Sequence, residues 1–107
     1  MSDCIFCRIV RKEIPAKILY EDEHCLAFHD VAPKAPVHLL LIPKVHLDSL
    51  LAVTPDHAQL LGHLTTRIPH IAQLSGLEEG FQTRIHTGKK GGQEVFHLHY
   101  HLLGSGH

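Results

Sequence analysis

The stretch His97-Leu98-His99-Tyr100-His101-Leu102-Leu103 alternates three histidines with bulky apolar residues. Alternation is the period of a β-strand, in which side chains at i, i+2 and i+4 share a face. The pattern predicts a strand over residues 95–103 that lines up three imidazoles along roughly 13 Å of one face. Leu98, Tyr100 and Leu102 then turn to the other face, where a core takes them. Keeping three imidazoles on a half-buried strand is costly unless they have work to do. Imidazole titrates near neutral pH, attacks electrophiles and binds metals. The segment therefore marks a functional site. A single ion cannot take all three rings, because the first and third lie too far apart for bonds of about 2.1 Å.

Around this strand the chain reads as α+β with a mostly antiparallel sheet. Residues 3–12 suggest one or two helical turns that end before Pro15. Lys17 to Tyr20 and Cys25 to Phe28 read as strands joined by the polar turn Glu21-Asp22-Glu23-His24. Asp30 to Pro36 carries two prolines and reads as a loop. Val37 to Ile42 is almost wholly apolar and predicts a central strand. Thr54-Pro55-Asp56 has the form of a helix start, with a Thr cap and Pro in the first turn. Ala58, Leu61, Leu64, Ile68, Ile71 and Ala72 continue at helical spacing to Ser75-Gly76, a C-terminal cap. Pro69 inside that helix predicts a kink near Thr65–Ile68. Phe81 to His86 reads as a further strand, joined to the histidine strand by the glycine-rich loop 87–94.

At 107 residues the chain is expected to form one domain over 1–107. A formal net charge of −1 gives no field that favours nucleic acid or an anionic membrane. The apolar runs are too short to span a bilayer. The start, Met1-Ser2-Asp3-Cys4, lacks the pattern of a secretory signal, so the cytoplasm is the expected location. Three cysteines, an odd number, argue against a disulfide scaffold.

Three further groups carry chemistry. Gly91-Gly92, just before the histidine strand, lets backbone N–H groups approach an anion with no Cβ in the way. Donors feeding a row of imidazoles suit a phosphate ester, with one imidazole as nucleophile. Cys4-x-x-Cys7 has the spacing of two zinc ligands, with His46 and one triad histidine as candidates for the others. It reads equally as a redox pair or as two unrelated thiols. Asp30 is either a turn former or an acceptor for two ribose hydroxyls. Phe6, Ile9 and Phe28 offer apolar faces that suit a core or a base.

Taken together, these residues resemble the signature of the histidine triad (HIT) superfamily. The resemblance extends to Arg11–Ile18, Cys25–Asp30, Ala35–Lys44 and Gly91–Phe96, all similar to the histidine-triad nucleotide-binding (Hint) branch. It implies a five-stranded antiparallel sheet with one long helix and a short N-terminal helix. It also implies a homodimer whose sheet runs to ten strands. The implied activity is hydrolysis of adenosine or guanosine 5′-monophosphoramidates, including lysyl-AMP, to the nucleoside monophosphate and an amine. His99 matches the family nucleophile, and His101 and His38 match partners that handle protons and phosphate. Asp30 matches the ribose carboxylate, with Val31 beside it. Ile5, Phe6, Ile9, Phe28, His29 and Leu40 match the base pocket, and Gly92, Gln93 and Glu94 the phosphate loop. Bacterial members similar to this chain hold a structural zinc with residues matching Cys4, Cys7, His46 and His97, and the chemistry itself needs no cofactor. A dinucleoside polyphosphate hydrolase and a nucleotide- or zinc-binding protein with vestigial catalysis are the rival readings. Two departures stand out. His86 occupies a position where the branch usually has Asn, a group that donates and accepts at once, whereas an imidazole titrates near neutrality. The chain also stops soon after His101, so a more open leaving-group side is expected.

Overall fold

The computed structural model describes residues 4–106. Met1–Asp3 and His107 lie outside the described residues, and with them the first position of the predicted N-terminal helix. The elements run α1 (Ile5–Val10), β1 (Ile18–Glu21), β2 (Cys25–His29), β3 (Val37–Pro43), α2 (Ala58–Ser75), β4 (Gln82–Arg84) and β5 (Tyr100–Gly104). The five strands form one antiparallel sheet in the order β1-β2-β3-β5-β4. The expected α+β architecture, with one long and one short helix, is the one observed.

The central position of β3 explains its composition. Leu39 and Leu41 face α2, where they pack with Cys25, Ala27, Tyr100 and Leu102 against Leu64, Ile68 and Ile71. Leu40 and Ile42 face the opposite way and join Leu26 and Phe28 against Phe6 and Ile9 of α1. A strand covered on both faces has no place for polar residues, so it reads as a continuous apolar run. Its one buried polar side chain, His38, belongs to the site described below.

Thr54 caps the entry to the long helix, accepting from the Asp56 amide, and Pro55 follows in a 3-10 turn that runs into α2. Gly76 ends α2 at φ +77, a left-handed conformation in which a side chain would be strained, and its N–H returns to Ala72 O. The helix runs unbroken through Pro69. Pro69 and Thr65 are both exposed, so water can take the carbonyl that the missing N–H leaves free. No described helix is long and apolar enough to cross a membrane.

Two predicted strands are shorter than their sequence pattern. The expected strand over residues 81–86 is confined to Gln82–Arg84, and that over 95–103 begins only at Tyr100. His97 and His99 therefore precede the sheet rather than lie within it. The reason is a change of hydrogen-bond partners: the Leu98 amide donates to Leu47 O, and His97 Nε2 donates to Pro43 O. The chain here grips the end of β3 and the loop after it instead of extending the ladder.

Truncating Leu39, fully buried between β3 and α2, should be expensive. Leu39→Ala is expected to lower unfolding free energy by about 2–5 kcal/mol. Leu51→Ala, at an 82% exposed position, should change it by less than about 0.5 kcal/mol. Urea titration followed by circular dichroism measures both.

Candidate active site

Sheet register determines which side chains meet. Opposite residues of an antiparallel pair project to the same face. Leu40 lies opposite His101, His38 opposite Leu103, and Arg84 opposite His101 on the other side. All of these line a cavity of about 420 Å³ on the α1 side of the sheet. His99 and His86 also line it, as do Gly92 and Glu94 of the glycine-rich loop.

The imidazoles form an ordered chain whose tautomers follow from their partners. The Lys34 backbone N–H donates to His38 Nδ1 at 3.0 Å, so in neutral His38 the proton sits on Nε2. That Nε2 lies 3.0 Å from His101 Nδ1 and 3.5 Å from Asp30 Oδ2. Donation to His101 Nδ1 places the His101 proton on Nε2. This buried atom has no partner among the described residues. A buried orphan donor lining a cavity is a group poised for a ligand oxygen.

His99 is set the opposite way. Its Nδ1 donates to His97 O at 2.7 Å. A carbonyl only accepts, so Nδ1 holds the proton and Nε2 carries the free lone pair. Phe6 meets the ring edge-to-face at 5.2 Å, and the His101 ring stands 4.8 Å away. Burial lowers the pKa of His99, against its bond to His97 O. Burial, then His99, His86 and His38, pull His101 down to about 4. Burial lowers His38 as well, against Asp30. All three rings are neutral at pH 7.

The other predicted residues divide into walls. Ile5, Phe6, Ile9, Phe28 and Leu40 form an apolar wall, with His29, Asp30 and Val31 at its rim. Val31 is 98% exposed. Asp30 also accepts from the Ala32 amide, so the turn-forming role is present too. Gln93 does not line the cavity. It is buried beneath the loop, where Oε1 accepts from the Gly88 amide and Nε2 donates to Asp48 O and Val95 O. It holds the loop in shape, and Gly92 at φ +89 supplies the turn. Arg84, Lys34, Ile14 and Val95 also line the cavity and were not anticipated. The signal for Arg84 was present in outline, two residues before His86 on a strand and hence on the same face.

A second cluster lies behind the site. Ligand atoms of Cys4, Cys7, His46 and His97 all fall within 4.8 Å of one another. Cys4 Sγ is 3.4 Å from His97 Nδ1, and Cys7 Sγ is 3.3 Å from His46 Nδ1. Both imidazoles spend their Nε2 protons elsewhere, His97 on Pro43 O and His46 on Asp48 Oδ1. Their Nδ1 lone pairs thus face the sulfurs. Two thiols and two such imidazoles form a donor set suited to a tetrahedral cation, with outer groups that orient the rings. Burial pushes His97 down to about 4 and, with Cys4 beside it, raises the Cys7 thiol. The neutral imidazole suits a ligand; the thiol needs the cation to deprotonate.

The chain is similar to known proteins in sequence and in fold. A family model described as scavenger mRNA decapping enzyme C-term binding matches residues 3–107. Protein HitA of Neisseria gonorrhoeae is 57% identical over 105 residues, 98% of each chain. This chain belongs to the histidine triad (HIT) family. An uncharacterized HIT-like protein of Synechococcus elongatus is 58% identical over 103 residues, 96% of this chain and 90% of that one. Among solved structures, a HIT family hydrolase from Legionella pneumophila has a TM-score of 0.91 at 45% identity, covering 94% of this chain and 91% of that one. One from Clostridium thermocellum has a TM-score of 0.93 at 40% identity, covering 98% and 92%. In this HIT chain the cavity lies on the face where β3 and β5 meet.

The lowered pKa values of His38 and His101 make stability depend on acid. Unfolded histidine protonates near 6.5, while the folded rings resist protonation to lower pH, His101 to about 4. Their contribution is complete above pH 6.5 and is lost as pH falls toward 4. Denaturant midpoints measured across this range should fall with pH. The slope should be shallower in His101→Gln.

Proposed function

We propose that this HIT chain hydrolyses purine nucleoside 5′-phosphoramidates to the nucleoside monophosphate and an amine. The observation that carries the proposal is the unprotonated Nε2 of His99, left free by the bond from Nδ1 to His97 O at the edge of a cavity with one apolar wall. The base would lie against Phe6, Ile9 and Phe28, the ribose hydroxyls against Asp30, and the phosphoryl group between the imidazoles and the loop around Gly92. The HIT family hydrolases of similar fold support a hydrolase.

In this reading His99 Nε2 forms a bond to the α-phosphorus as the P–N bond breaks. The departing nitrogen takes a proton from His101. That ring is neutral in the free protein, but a phosphoryl anion beside it raises its proton affinity. His38, bonded to His101 Nδ1, fixes the ring's orientation and shares its charge. Water then attacks phosphorus, the bond to Nε2 breaks, and the water proton returns to His101. Donors from the loop backbone offset charge on the phosphoryl oxygens, and the orphan His101 Nε2 faces the departing nitrogen.

The Cys4, Cys7, His46 and His97 cluster would hold zinc. With four protein ligands the ion keeps no open position and acts structurally. It would tie α1 to the segment that leads into His99. The homodimer with a continuous ten-stranded sheet belongs to the same reading, and the sheet has β1 and β4 at its edges.

AMP release from adenosine 5′-phosphoramidate, with diadenosine tetraphosphate run in parallel, tests the activity. The phosphoramidate should be cleaved faster, and His99→Ala should lose at least about 10³-fold in kcat while still binding AMP. Faster cleavage of diadenosine tetraphosphate would favour the polyphosphate hydrolase. Metal analysis of purified protein should find one zinc per chain, and chelation should lower Tm. Content far below one would remove zinc from the account.

A further inference from the structure

Arg84 is the feature of the cavity that the preceding reading leaves without a task. Its three-residue strand is one of the two edges of the sheet, and its side chain lines the cavity on the face of His101. The guanidinium donates through Nε and Nη2 to Gln82 Oε1, at 3.0 and 2.5 Å. Among the described residues it makes no ion pair. A neutral amide holds it in place without neutralising it. Two residues on, His86 lies against His101 with ring centroids 4.7 Å apart and planes tilted by 36°. A Cβ at Gly92 would come within 3.9 Å of His86 Nδ1, so ring and loop are close neighbours. The charge of Arg84 reaches the imidazole that orients His101, since it helps to lower the pKa of His38. The cavity's two carboxylates sit on other segments, Asp30 after β2 and Glu94 in the loop before β5.

One end of the cavity is therefore apolar with a carboxylate at its rim. The β4 side, next to His101, presents a fixed cation and an imidazole. In the proposed reaction His101 stands on the side of the departing nitrogen, so Arg84 and His86 border whatever that nitrogen carries. An ammonia leaving group gives them nothing to bind. A basic amine is repelled. An oxyanion fits, because a guanidinium offers paired donors in the geometry of a carboxylate or a phosphate.

We propose that Arg84, with His86, forms a leaving-group subsite that selects substrates whose departing group carries an oxyanion, namely phosphoramidates of amino acids with a free carboxylate. The inference rests on the hydrolase reading above and narrows its substrate class. The His86 departure falls within this subsite, where the ring packs against His101 and adds a hydrogen-bonding nitrogen beside the arginine.

The Asp22, Cys25 and His63 group carries no comparable proposal. Asp22 already accepts from Tyr20, His63 and two backbone amides, which leaves no free lone pair for an ion.

The test compares two nearly isosteric substrates, adenosine 5′-phosphoramidates of glycine and of glycinamide, in wild type, Arg84→Gln and Arg84→Lys. Position 84 is exposed, so neither substitution disturbs the core. Wild type should show about tenfold higher kcat/KM for the free carboxylate, the scale of one charge-assisted contact. The preference should shrink as salt is raised. Arg84→Gln should bring the ratio close to one, and Arg84→Lys should retain part of it. Equal rates in wild type, or a preference that survives in Arg84→Gln, would overturn the subsite. If neither phosphoramidate is cleaved, the hydrolase reading fails first, and diadenosine tetraphosphate becomes the probe. Cleavage that falls in Arg84→Gln would then assign the oxyanion to a phosphate. Cleavage indifferent to position 84, or none, would overturn the subsite.

Discussion

The pairing of β3 with β5 is the constraint on which the rest of the molecule depends. Five residue pairs, from Val37 with Gly104 to Leu41 with Tyr100, join these two strands. On one face the pairing buries Leu39, Leu41, Tyr100 and Leu102 against α2. On the other it brings His38 within hydrogen-bond distance of His101. A one-residue slip would exchange the faces, sending imidazoles into the core and leucines into the cavity. Core and site thus enforce the same register, because each would be ruined by the alternative.

Beyond the last pair the chain changes task. Where a longer strand would continue the ladder, His97 donates to Pro43 O and Leu98 to Leu47 O. This departure frees the His97 carbonyl to accept from His99, and it swings His97 Nδ1 toward Cys4 and Cys7. One bend therefore prepares two sites. It fixes the tautomer of His99 and completes a four-residue donor set behind it. The apolar contact of Phe6 with both rings links the same two places through α1.

Much of this is legible in the chain itself. Period-two alternation in residues 97–103 placed the histidines and the core leucines on opposite sides, and the almost wholly apolar run 37–42 announced a central strand covered on at least one face. Thr54-Pro55 and Gly76 marked the ends of the long helix by local chemistry alone. What escaped was tertiary. Alternation looks the same whether a segment pairs with a neighbour or merely runs extended, so His97 and His99 read as strand. Gln93 looked like a loop donor, but burial turned it into the anchor of the loop. Arg84 was passed over, and its register opposite His101 brings it to the cavity.

The central claim is that His99 is the group that takes up the nucleotide, and trapping it there is the most direct test. Protein mixed with an adenosine 5′-phosphoramidate, acid-quenched within one turnover and digested under conditions that preserve phosphoramidates, can be mapped by mass spectrometry. The account predicts adenylate on the peptide containing His99, assigned to that ring by fragmentation and absent from His99→Ala. Adenylate on His101 or His38 would contradict it. So would turnover with no nucleotidyl-enzyme at any quench time.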